Sequence, residues 1–303
     1  PATFDMRDEH LELDFLMKAR SSGVTSPLFQ AEISRQVVAL TVDNAEDQAK
    51  ILEDVNLNKG FTLSVQSMNE ETLDSIERKN MEMSKLADMY AQCEKQDVAY
   101  YTEFILGLPF ETLQTWKKGL CAAVEAGCHH HIDIHPLEVL KNSAFAQQVK
   151  QFNYEVFTFT VVTKKQPSLI PERHNYVIAS EFMTRQEYID SWMFSWLVLH
   201  FHHYAWTQLL ARFARKYKNL SYLQFYENCY NQCVLTDPLF LSLHQQQDTA
   251  LKDFFWNTSD NRVFDNDSVV VITDQIEWHK NRQQVQQLRA LLDCELRWHV
   301  VVR

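Results

Sequence analysis

Glycine is the scarcest ordinary residue here, with five in 303, where average usage would supply about twenty. Neither GxGxxG nor GxxxxGK[ST] occurs, so a dinucleotide fold or P-loop phosphate cradle has no support. Basic residues are outnumbered, 29 Lys and Arg against 40 Asp and Glu, for a net charge of -11. That balance argues against non-specific nucleic-acid binding, which needs a basic footprint. The six cysteines, at 93, 121, 128, 229, 233 and 294, lack the spacing of a disulfide framework and fit reduced thiols in a cytoplasmic compartment. The chain starts at Pro1 without a charged-then-apolar signal segment. Its longest charge-free run, residues 191–211, contains His200, His202, His203 and Gln208. It reads as a buried helix rather than a membrane span.

What is present begins with a hydrophobic share of 46%, enough for a soluble, globular chain with a sizeable core. The most informative stretch is 60–111. Two segments in it alternate with the period of a strand. In the first, Phe61, Leu63 and Val65 oppose Thr62, Ser64 and Gln66; in the second, Thr102, Phe104 and Leu106 oppose Tyr101, Glu103, Ile105 and Gly107. About thirty residues of helical pattern separate them, which implies parallel strands. Parallel strands normally carry apolar cover on both faces, yet one face here is polar. The expectation is a barrel whose lumen holds a ligand, since an empty polar lumen leaves donors and acceptors unpaired.

The same strand-helix unit repeats through residues 1–135. Phe29, Ala31 and Ile33 oppose Gln30, Glu32 and Ser34 in an earlier strand, and His131, Asp133 and His135 oppose Ile132 and Ile134 in a later one. Helices are expected from Asn69 to Asn80, from Ser84 to about Gln96, and from Glu111 to a stop at Gly127. Beyond residue 152, Val156–Val162 is β-rich, and Pro167 and Pro171 mark a loop leading to Tyr176. Thr184 caps one long helix carrying Trp192, Trp196, His203, Trp206 and Phe213. The fold class is therefore α/β, a partial (β/α) barrel with parallel strands followed by a mostly helical C-terminal region. The expected divisions are 1–150, 151–265 and a strand-helix-strand tail, 266–303.

Gly60-Phe-Thr-Leu-Ser-Val-Gln-Ser-Met-Asn-Glu-Glu-Thr-Leu73, Glu77-Arg-Lys-Asn80, Tyr101-Thr-Glu-Phe-Ile-Leu-Gly-Leu-Pro-Phe-Glu-Thr112 and His131-Ile-Asp-Ile-His-Pro-Leu-Glu-Val-Leu-Lys-Asn142 stand in one order. Together they resemble the radical S-adenosylmethionine (SAM) enzymes, in particular the branch with a cobalamin-binding domain. Met183-Thr-Arg-Gln-Glu187 and Phe194-Ser-Trp-Leu-Val198 are similar too. The resemblance implies a SAM site at Ser64, Gln66, Glu103, Ile105, Gly107 and Leu108, with Glu32, His131, Asp133 and His135 as substrate or lumen contacts. It also implies a [4Fe-4S] cluster on a CxxxCxxC loop, and cobalamin. No CxxxCxxC occurs in the chain, and Phe110 stands where the family usually has Gly. The leading expectation is a fragment without the N-terminal segment that bears the cluster loop and the cobalamin domain, inactive by itself and acting in full length on a small molecule. A cluster-free SAM-binding or scaffold relative is the alternative. A metal hydrolase built on His131, Asp133 and His135 is a third reading, although strand neighbours two apart rarely converge on one ion.

Overall fold

The computed structural model describes residues 61–95, 99–162, 172–256 and 262–265. They form a mixed α/β molecule in which a three-stranded parallel sheet, ordered β1-β2-β3, carries the polar face. Its strands are β1 (Phe61–Gln66), β2 (Tyr100–Leu106) and β3 (Ile132–Pro136). The strand expected around Glu32 and the tail beyond residue 265 lie outside the described residues.

Helix α1 (Glu70–Ser75) is shorter than expected. It ends because Glu77 takes up a left-handed φ of 55°, while the Glu77 and Arg78 amides donate back to the Asp74 and Leu73 carbonyls at 3.1 and 2.9 Å. This is a Schellman stop with Glu where Gly is usual, so no residue type marks it. Helix α2 (Met83–Lys95) follows. Helix α3 (Leu113–Ala126) opens with a Thr112–Thr115 capping box and stops at Gly127, whose φ of 111° suits a residue without Cβ. Both helices bury their apolar sides against Leu63, Val65, Phe104, Leu106 and Ile132 on the sheet's other face.

After the short helix α4 (Ala144–Gln148), β4 (Glu155–Val162) pairs antiparallel with β5 (Glu172–Ala179) and parallel with β6 (Arg262–Asp265). The expected loop into Tyr176 is therefore strand from Glu172 onward, so the C-terminal region also contains a sheet. Thr184 caps helix α5 (Arg185–Val198) as expected, in a box with Glu187. The single long helix does not persist. Leu199–His203 forms a π-helical turn, Ala205 adopts a left-handed φ of 62°, and a separate helix α6 runs Gln208–Lys218. Helix α7 (Tyr222–Cys229), a second π turn (Tyr230–Val234) and helix α8 (Pro238–Phe255) complete the described chain.

One hydrophobic cluster joins the parallel sheet, α2 and α3 to α5, α7 and α8. Trp116 on α3 donates its indole N–H to Ser195 Oγ on α5 at 2.9 Å. Among the described residues no helix is long and apolar enough to cross a membrane.

Candidate functional site

Register sets the site. Ser64 pairs with Glu103, Glu103 with Asp133, and Ile105 with His135. In-register residues of neighbouring strands share a face, so Ser64, Glu103 and Asp133 form one polar row across the sheet. Ser64 donates its hydroxyl to Glu103, and His131 Nε2 lies 2.9 Å from Asp133 Oδ1. Four sequence-predicted residues thus meet. His135 continues the row at the C-terminal end of β3, where it is exposed. One oxygen from Glu103, one from Asp133 and one ring nitrogen of His135 all lie within 4.8 Å of each other. The set expected for a hydrolase, with His131 in place of Glu103, is not the one that converges.

The loop after β1 is tied down by residues that sequence reasoning did not single out. The pairing slips between Ser64 and Gln66, and Gln66 has a φ of 64°, which turns the chain sharply at the strand's end. Arg78, brought back by the Schellman stop, donates to the Ser64 carbonyl. Burial lowers the Arg78 pKa, and the Glu103 carboxylate opposes the shift. Asn80 donates to the Ser67 carbonyl at 2.7 Å. Ser67 and Thr115 both donate to the buried Glu111 carboxylate, each at 2.5 Å. Burial raises the Glu111 pKa while those two hydroxyls lower it. Asn69 reaches the Phe110 carbonyl at 3.0 Å. The signal for Arg78 and Asn80 was their place in the Glu77–Asn80 motif.

Gln66 keeps a buried Oε1 without a hydrogen-bond partner. Such an orphaned acceptor costs roughly 1–3 kcal/mol if nothing meets it. Gly107 has a φ of 103°. A side chain there would be in ordinary contact with Leu137 and Val177, at 3.5 Å, so the glycine answers to backbone conformation rather than to crowding. Leu108 is buried in an apolar cluster with Leu137, Phe152 and Val177, and Ile105 packs against that cluster. The Phe110 backbone has a φ of 61°, the left-handed conformation that glycine adopts freely. Its ring packs against Phe182 and Phe152, at centroid distances of 4.5 and 5.8 Å.

A second histidine group lies near the N-terminal end of β3. His129 Nδ1 and His202 Nε2 share a hydrogen bond of 2.9 Å, and His202 Nδ1 bonds the Tyr226 hydroxyl at 2.6 Å. Burial pushes His129 down to about 4 and His203 down to about 3, and it lowers His202 well below its usual range. Arg212 adds to the shift at His129, and the His203 and His129 rings together with Arg212 add to that at His202. All three rings are therefore held neutral, His202 and His203 in the buried interior and His129 half-buried beside them.

No family profile matches the chain. Two curated proteins are similar to it: the cobalamin-dependent radical SAM methyltransferase TokK of Streptomyces tokunonensis, and a 2-(S-pantetheinyl)-carbapenam-3-carboxylate methyltransferase of Streptantibioticus cattleyicolor. Each is 28% identical over 189 residues, which cover 61% of this chain and 28% of the relative. The likeness supports kinship with radical SAM methyltransferases at a distant level. The chain matches less than a third of the length of either relative.

Proposed function

We propose that this chain is the SAM-binding part of a radical SAM enzyme of the cobalamin-associated type, with methyl transfer to an unreactive carbon as the reaction of the whole protein. The observation that carries the reading is the orphaned Gln66 Oε1, at the C-terminal end of a parallel strand, where the register slip pairs Gln66 with Phe104 and so takes it out of the Ser64–Glu103 row. Parallel α/β sheets build their ligand sites at that end. A bound SAM supplies ribose hydroxyls, an ammonium and a sulfonium centre. Gln66 offers an acceptor to a hydroxyl, and Glu103, held by Ser64, offers a carboxylate to a cationic group. Gly107, Leu108 and Ile105 give the adenine an apolar side, and Arg78 and Asn80 hold the loop in register. Asp133, His131 and His135 face the space left for a small-molecule substrate, and Glu32 belongs to the same set. The protein is proposed to be cytoplasmic, with neither nucleic acid nor membrane as a partner.

The iron-sulfur cluster does not fit the cysteines of this chain. CxxxCxxC is absent, and Cys93, Cys121, Cys128, Cys229 and Cys233 are all buried. The alternative reading is a SAM-binding or scaffold relative without radical chemistry.

Titration calorimetry without iron tests the common part. SAM is expected to bind one to one, and Ser64→Ala and Gln66→Ala are each expected to weaken it by about three- to tenfold, as for loss of one hydrogen bond. Absence of binding at about 1 mM SAM overturns both readings. Reconstitution of the full-length protein with iron, sulfide and a reductant separates them. Release of 5'-deoxyadenosine supports the enzyme, and binding without cleavage supports the scaffold.

A further inference from the structure

We infer that Glu103, Asp133 and His135 form a divalent-cation site of the manganese or zinc type, open to solvent on one side. Two carboxylate oxygens and one imidazole nitrogen is a donor set suited to these ions. The three atoms come from adjacent strands held in register, and they already lie within 4.8 Å of one another. Around an ion with bonds of about 2.1 Å they would stand roughly 3.0–3.4 Å apart. The remaining movement falls on His135, which is exposed and can turn inward at little cost.

Two residues outside the donor set orient it. Ser64 donates to Glu103 Oε2, and the His131 ring is hydrogen-bonded to Asp133 Oδ1. Partners of this kind fix the carboxylates that ligate metals. Arg78 acts against the site, because its charge already interacts with Glu103. Asp133 and His135 therefore carry more of the binding than Glu103. A bound ion would also cancel the charge of the two carboxylates on this face, removing their repulsion of an anionic group.

Manganese titrated into the 303-residue chain, with free Mn2+ read by electron paramagnetic resonance, tests the inference. One ion per chain is expected. Asp133→Asn should weaken it at least about tenfold and His135→Gln by a similar factor, with circular dichroism unchanged. His130→Gln, at an exposed neighbour outside the donor set, should leave binding as it was. Absence of a saturable site below about 1 mM overturns the inference, as does a site indifferent to both ligand variants. The ion and a cationic group of SAM would share Glu103, so the metal titration is run without SAM and SAM binding is measured in EDTA, which lets either proposal fail while the other stands.

Discussion

Glu111 shows how a single carboxyl organises the candidate site. It is 1% exposed and accepts hydrogen bonds from Ser67, in the loop after β1, and from Thr115, in the first turn of α3. Burial raises its pKa, so as pH climbs the unfolded chain releases this proton before the folded chain does. The contribution of this group to stability is thus present below the ordinary carboxylate range and is lost as pH rises. At pH 7, Glu111→Gln is expected to match or exceed the parent in urea midpoint. Glu111→Ala should cost about 1–3 kcal/mol, because the buried Ser67 hydroxyl loses its acceptor. Phe110 behaves differently. Phe110→Gly relieves about 1–2 kcal/mol of left-handed strain but removes a ring packed on Phe152 and Phe182, worth about 1.5–3 kcal/mol when buried. The expected outcome is a net loss near 1 kcal/mol by urea titration. The polar row was legible because period-two alternation assigns every strand residue to a face. Arg78, Asn80 and Glu111 were not, because turns rather than strand period decide where their side chains arrive.

Elements with their own end signals were the easiest to read. Thr184 and Glu187, three residues apart, announce α5, and Gly127 announces the end of α3. The break after α5 had no such mark. Residues 191–211 are apolar almost throughout, and hydrophobic periodicity cannot register a π turn or a left-handed Ala205. The bend is held instead by Thr207, whose amide and hydroxyl both donate to the Phe201 carbonyl, at 2.7 and 2.9 Å. Strand β5 was hidden because Glu172, Arg173 and His174 look like loop. Its strand character depends on pairing with β4, a contact distant enough in sequence to override local propensity. The contact between α3 and α5 provides a test at this scale. Trp116→Phe, which removes the bond to Ser195, should cost about 1–2 kcal/mol, and Trp116→Ala about 3–5 kcal/mol, both read as shifts in denaturation midpoint.

At the scale of the whole molecule, the shared core predicts one cooperative transition for the sheet and the later helices. Acid should weaken it in a defined window. The folded pKa values of His129 and His203 are lowered to about 4 and about 3, and that of His202 is lowered too, against about 6.5 in an unfolded chain. Their contribution is fully present above pH 6.5 and is lost as pH falls toward the folded values. Each proton taken up on unfolding steepens the loss by about 1.4 kcal/mol per pH unit. Urea midpoints measured from pH 7.5 to pH 5 should fall, and His129→Asn should reduce the slope.

The bond from Trp116 to Ser195 also has a consequence for synthesis. The apolar side of α3 emerges from the ribosome well before the helix that covers it. At roughly 5–20 residues per second, that delay amounts to several seconds. During that interval the nascent chain presents Trp116 and Leu120 without their partner surface, an opening for chaperone capture that closes only once α5 has been translated.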